Sequence, residues 1–160
     1  MIVVSDAGPI NYLIQIEQIQ LLNLLFSQMV VPAAVVEELS SPSTHPVVRM
    51  WMANPPEWML IQDPQQILNL DKRGKGERAA IALALELHAS LLCDDGTARQ
   101  MARQAGLLVS GTLGVLQQAH KRGLIEIDLT LDRLVNTTNF YITPKLREQV
   151  IREAHELRSI

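Results

Sequence analysis

Several carboxylates in this sequence fall where a ligand site would place them. Asp6 follows the short β-branched run Ile2–Ser5, and Asp94 and Asp95 follow the apolar run Ser90–Cys93. Glu77 opens an apolar stretch of helical length, and Glu37 and Glu38 follow the run Met29–Val31. In open α/β sheets ligands bind beyond the carboxyl ends of the strands. Two strands would therefore deliver aspartates to one edge, and a helix start would bring Glu77 to it. Clustered carboxylates repel one another unless a cation neutralises them. Hard oxygen donors select Mg²⁺ or Mn²⁺ over zinc or copper. Such ions polarise a phosphodiester and acidify bound water, so the implied chemistry is in-line phosphodiester hydrolysis.

Each acid also has a structural reading. An Asp or Glu at a helix start can cap orphan N–H groups, and Glu77 and Asp95 suit that role as well. Asp6 suits it less, because it ends a strand and precedes Ala-Gly-Pro. Glu37 and Glu38 stand about 100° apart on a helix, so at most one points into a shared site. Arg78, Arg99 and Arg103 are candidates for contact with phosphates, and Ser110 and Thr112 for orienting the site. His45, His88, His120 and His155 show no ligand spacing, and Cys93 reads as a small core residue. Neither GxxxxGK[ST] nor GxGxxG occurs, so Gly74 and Gly76 make no phosphate-binding loop of those kinds.

The elements that must position these residues follow from the apolar pattern. Strands are expected at Ile2–Ser5, Met29–Val31, Met59–Gln62, Ser90–Cys93 and Leu107–Val109. Helices are expected at Ile10–Ile14, Leu21–Phe26, Ala33–Leu39 with Pro32 at its N1 position, Val47–Ala53 and Glu77–His88. Ala98, Met101, Ala102 and Ala105 mark a further helix closed by Gly106. Another starts at Ser110-Gly-Thr112 and ends at Gly123; the last opens with Thr143 as N-cap and Pro144 at N1. Asp71–Gly76 reads as a polar loop. Short apolar strands alternating with helices give an α/β fold, a parallel sheet covered on both faces, with residues 1–160 as one domain.

Composition narrows the class. Apolar residues are 48% and aromatics 4%, so the core must be aliphatic. The lone cysteine excludes an internal disulfide and a thiolate-rich zinc site. No basic leader or membrane-length apolar run is present, so a soluble cytoplasmic protein without membrane association is expected. The net charge of -3 conceals an asymmetry. Residues 1–70 carry six acids and one base, whereas residues 71–125 carry eight bases and five acids. The middle of the chain can meet a polyanion while the first part holds a cation.

Five stretches taken in order resemble a known family. They are VVSDAGPINYL at the N-terminus, VPAAVVEEL at 31–39, GERAAIALALEL at 76–87, LLCDDGTARQMARQAGLLVSGTLGVLQQAHKRGLI at 91–125, and the terminal ITPKLREQVIREAHE. Together they look like a PIN domain. The helix start GE-x-x-AI-x-LA is similar to the branch related to VapC-type toxins. The resemblance implies a three-layer α/β/α fold and a Mg²⁺- or Mn²⁺-dependent endoribonuclease, commonly a homodimer. It matches Asp6, Glu38 and Glu77 to the first three acids. The last falls at Asp94-Asp95, with Asp95 fitting the family's hydroxyl-x-Asp pattern better. The chain departs at Cys93, where Thr or Ser is usual, and at Gly8, where many relatives carry Ser or Asn.

The resulting expectation is a nuclease acting on RNA, the toxin of a toxin–antitoxin pair with an antitoxin protein as partner. Asp6, Glu38, Glu77 and Asp95 would be catalytic, with metal on Asp6, Glu77, Asp94 and Asp95. The rival is a PIN-fold module that binds RNA or a partner with weak catalysis. A phosphatase-like enzyme with Asp6 as nucleophile would want a second Asp where Gly8 stands.

Overall fold

In the computed structural model of the chain, residues 1–66 and 74–158 are described. The first part runs β1 (Ile2–Ser5), α1 (Ala7–Gln15), α2 (Gln20–Leu25), β2 (Gln28–Val31), α3 (Ala33–Leu39), α4 (Pro46–Met52) and β3 (Met59–Ile61). The second runs α5 (Lys75–Leu87), β4 (Ser90–Leu92), α6 (Gly96–Gln104), β5 (Val109–Ser110), α7 (Thr112–Lys121), α8 (Ile127–Thr137) and α9 (Pro144–Arg158). Among the described residues the strands form one sheet in the order β3-β2-β1-β4-β5, every neighbouring pair parallel.

Strand side chains alternate between the two faces. Val3, Met29, Val31 and Leu92 join a core built with α1, α2, α7, α8 and α9. Val4, Val30 and Leu91 join a second core under α5 and α6. Helices thus cover both faces, as expected for parallel strands that are apolar throughout. In α5 the run from Ala79 to Ala84 is fully buried. Its alanines alternate with Ile81 and Leu83, so the helix sits close on the sheet. The helix ends at His88, in the left-handed conformation with φ 52°.

Some boundaries differ from the sequence expectation. Pro32 occupies the N-cap of α3, with ψ 150°, rather than its first turn. The last strand is Val109–Ser110 instead of Leu107–Val109. Leu107 N–H still bonds to Ala102 O at 3.0 Å, so the chain is closing α6 there. The polar loop expected at Asp71–Gly76 is cut short by α5 starting at Lys75, and residues 71–73 lie outside the described residues. Helix α8 has no counterpart in the sequence expectation, although its buried residues Ile127, Leu131 and Leu134 have helical spacing. Thr143 caps α9 as anticipated, its Oγ1 accepting from Leu146 N–H at 3.1 Å. No helix among the described residues is long and apolar enough to cross a membrane.

Candidate active site

Leaving β1, the chain builds outward through β2 and β3, then returns by α5 to β4 on the other side of β1. The carboxyl ends of β1 and β4 therefore flank the point where the winding reverses, the usual crevice of such sheets. Hydrogen bonding pins both exits. Asp6 N–H donates to Leu92 O at 2.9 Å, and Cys93 N–H donates to Ser110 O at 2.8 Å.

Asp6 is only 8% exposed. It stands at the N-cap position of α1, yet its side chain makes no cap bond. Its Oδ1 is buried without a hydrogen-bond partner, while its Oδ2 faces the Cys93 thiol at 3.7 Å. Burial, then the charges of Glu38 and Glu77, push its pKa up to about 6; the Ala7 N–H and the Cys93 thiol oppose the rise. A Cβ on Gly76 would lie 3.5 Å from Asp6 Oδ1 and 3.8 Å from Glu38 Oε2. The start of α5 thus fits between these two acids and carries Glu77 into their field. Glu38 turns its carboxylate to this place and also lines an adjoining cleft.

Asp94 is the second anchor. Its Oδ1 accepts from Thr112 N–H and its Oδ2 from Thr112 Oγ1, both at 2.7 Å. Burial raises its pKa, while Thr112 and Arg99 pull it down. Arg99 is itself tied back, its guanidinium donating to Cys93 O at 3.0 Å. A Cβ on Gly111 would stand 2.5 Å from Asp94 Oδ1 and 2.6 Å from Arg99 Nη1, so only glycine leaves this pair its room. Gly8 is a looser neighbour: a Cβ there would be 3.1 Å from Asp94 Oδ2, which a small shift of that side chain would relieve. Cys93 lies between the anchors. Burial and then the charges of Asp6, Glu77 and Asp94 hold its thiol at a pKa of about 12, so it is no nucleophile at neutral pH.

The remaining expected residues separate. Asp95 caps α6, its Oδ2 accepting from Ala98 N–H at 2.8 Å; of the adjacent pair, Asp94 is the one bonded across the sheet edge. Thr112 has no exposed surface, and its hydroxyl and N–H are spent on Asp94. It holds that acid in place. Ser110 belongs to β5 and packs its hydroxyl against Gly114. Arg78 follows Glu77, with its Nε buried and without a hydrogen-bond partner. Arg103 is not brought to the site. It lies in the last turn of α6, about 12 Å from Asp95 along the axis at 1.5 Å per residue.

Two clefts flank the anchors. One of about 560 Å³ is lined by Gly8, Asn11, Tyr12, Gln15, Glu38 and His45, among others. The other, about 570 Å³, includes Asp94, Arg99 and Ser110. Tyr12 borders both. The sequence expectation omits Asn11, Tyr12 and Gln15. Their signal was a polar stripe with Gly8 at i, i+3, i+4, i+7 along α1.

The PIN-domain family matches residues 2–156. This chain belongs to the PIN-domain family. A solved PilT N-terminus domain protein from the hyperthermophilic archaeon Sulfolobus solfataricus P2 superposes with a TM-score of 0.51 at 13% identity. The match covers 89% of this chain and 98% of that one, and it shows the shared fold. No curated protein matches the sequence. PIN domains are generally nucleases and typically use divalent metals.

The residues of this PIN domain suit such a cation. A buried carboxylate oxygen without a partner costs free energy that a bound cation removes. Neighbouring acids that raise its pKa point the same way, since a cation relieves their repulsion. The donors are all oxygen, as Mg²⁺ and Mn²⁺ prefer. Among the described residues, no three His, Cys, Asp or Glu side chains already stand as a cage. Asp6 is fixed by the sheet edge, whereas Glu38 is exposed and Glu77 half-buried.

Proposed function

We propose that this PIN domain is an endoribonuclease that hydrolyses RNA phosphodiester bonds with Mg²⁺ or Mn²⁺. The observation that carries the proposal is the buried, unpartnered oxygen of Asp6, set at the switch point in the field of Glu38 and Glu77. Asp6, Glu38, Glu77 and Asp94 would hold the metal. When bound, such an ion supplies charge to a phosphoryl oxygen and lowers the pKa of water. The chain's own groups do the rest. Thr112 fixes Asp94, Arg99 presents charge to the second cleft, and Arg78 adds a cation beside Glu77. Asp95 holds the start of α6.

Purified protein given single-stranded RNA and Mn²⁺ should cleave it, and Asp6→Asn should lower the rate by about 100-fold or more. Undiminished cleavage by that variant would remove the site from consideration. The likeness to VapC-type toxins extends the proposal to the toxin of a toxin–antitoxin pair, acting as a cytoplasmic homodimer with an antitoxin protein as partner. Growth arrest on expression, relieved by the product of a neighbouring small reading frame, is the expected outcome.

A further inference from the structure

The cleft beside Glu38 is chemically unlike the one beside Asp94. Among the described residues that line it, none is Lys or Arg. Glu38 at its margin adds negative charge. Beyond the margin where Glu38 would hold the metal, the lining gives a phosphate no counter-charge, so that part of the cleft suits something neutral. Most of its polar groups already have partners, Ser43 Oγ with Ser41 Oγ at 2.9 Å among them. Thr44 Oγ1 is spent on Glu38 O, Thr137 Oγ1 on Arg133 O, and Thr138 Oγ1 on Leu134 O. His45 Nδ1 accepts from Val47 N–H, leaving Nε2 to donate. Gln15 Nε2 donates to Asn11 Oδ1 at 2.9 Å, and Tyr12 hydroxyl to Asn139 Oδ1 at 2.9 Å.

The remaining capacity is informative. Asn11 keeps its amide donors and Gln15 its carbonyl acceptor. Turning both amides over exchanges these roles and still leaves a donor and an acceptor side by side. A neighbouring donor and acceptor on flat, neutral groups is the pattern that reads the edge of a nucleobase. The wall is preorganised: Tyr12 packs edge-on against Phe140 at 4.9 Å and is tethered through its hydroxyl. The volume, about 560 Å³, falls within the range of about 300–1,000 Å³ common for small-ligand sites.

We propose that this cleft is a subsite for one unpaired nucleobase of the substrate strand, read by Asn11 and Gln15 with Asn139 and His45 in support. The strand's charged backbone then passes on the Asp94–Arg99 side of Tyr12. The inference rests on the nuclease reading for the source of the base, and it adds a determinant of where a strand is cut.

The test uses the full chain with ¹⁵N-labelled side-chain amides. The probes are uridine, cytidine, adenosine and guanosine, with ribose 5-phosphate as the counterpart that carries phosphate and no base. Saturable shifts of the Asn11 and Gln15 amide signals are expected with at least one nucleoside and not with ribose 5-phosphate. Asn11→Ala and Gln15→Ala should each weaken that binding by about 10-fold. Both lie on the half-exposed face of α1, where alanine favours the helix, so the variants should fold. Equal shifts with ribose 5-phosphate, or none with any nucleoside, overturn the proposal. Nucleoside binding without RNA cleavage would sink the nuclease reading and leave the subsite standing. Cleavage with these amides unmoved would do the reverse.

Discussion

Asp6 sits where stability alone would not put a carboxylate. Its folded pKa of about 6 stands above the ordinary 3.8. Between about pH 4 and 6 the folded chain therefore holds a proton that the unfolded chain has lost, and stability falls as pH rises through that window. Two units correspond to about 3 kcal/mol lost by pH 7. Asp6→Asn should flatten the fall and raise the unfolding midpoint in urea at pH 7, while lowering cleavage by about 100-fold or more. The metal-free wild type should gain stability from Mn²⁺ at pH 7 and little at pH 4, where the carboxylate is protonated. An unfolding midpoint of Asp6→Asn that declines with pH as steeply as wild type would show that the strain lies elsewhere. Gly111 makes a separate prediction. A methyl there meets both Asp94 and Arg99, so Gly111→Ala should cost about 1–3 kcal/mol in thermal unfolding and depress cleavage with it.

At the scale of elements, helix α6 separates two adjacent acids with different duties. Asp95 caps it, and Asp94 bonds to Thr112 at the start of α7. Asp95→Ser keeps a capping oxygen and should retain both fold and cleavage; Asp95→Ala should lose about 1 kcal/mol and still cleave. Asp94→Asn should fold and cleave poorly. Loss of cleavage in Asp95→Ser, with Asp94→Asn unaffected, would exchange the two assignments. The same pair shows what the sequence made legible. The edge is readable, because β-branched runs ending in Asp announce strand ends; the helical angle shows only that one of Glu37 and Glu38 can face the site, and it is the family resemblance that points to Glu38. The bond that sets Asp94 apart from Asp95 is not readable. It reaches a residue 18 positions later, which no local pattern displays. Arg103 could have been set aside from the sequence, since two helical turns separate it from the sheet edge. Ser110 was misplaced because α6 closes through Gly106 and Leu107, which delays the strand.

The whole molecule depends on one thin sheet gripped from both sides. Its strands are two to four residues long, so neither face has enough sheet to stand without the other. Val3 and Val4 are successive residues of β1, yet they belong to different cores. Exposing one core should therefore unlatch the other, and the chain should unfold as one unit. Both tryptophans, Trp51 and Trp58, pack at the first core, their rings 6.2 Å apart, and the chain has no others. Leu83 is fully buried in the second core, under α5. Leu83→Ala should remove about 2–5 kcal/mol. If the cores are coupled, the tryptophan fluorescence midpoint in urea shifts as far as the circular-dichroism midpoint, although no tryptophan is near the substitution in the packing. A fluorescence transition that stays in place while the helical signal moves would mean two cores unfolding independently. The single-domain description would then fail, and with it the idea that Asp6 on β1 and Glu77 on α5 are held in register by one cooperative structure.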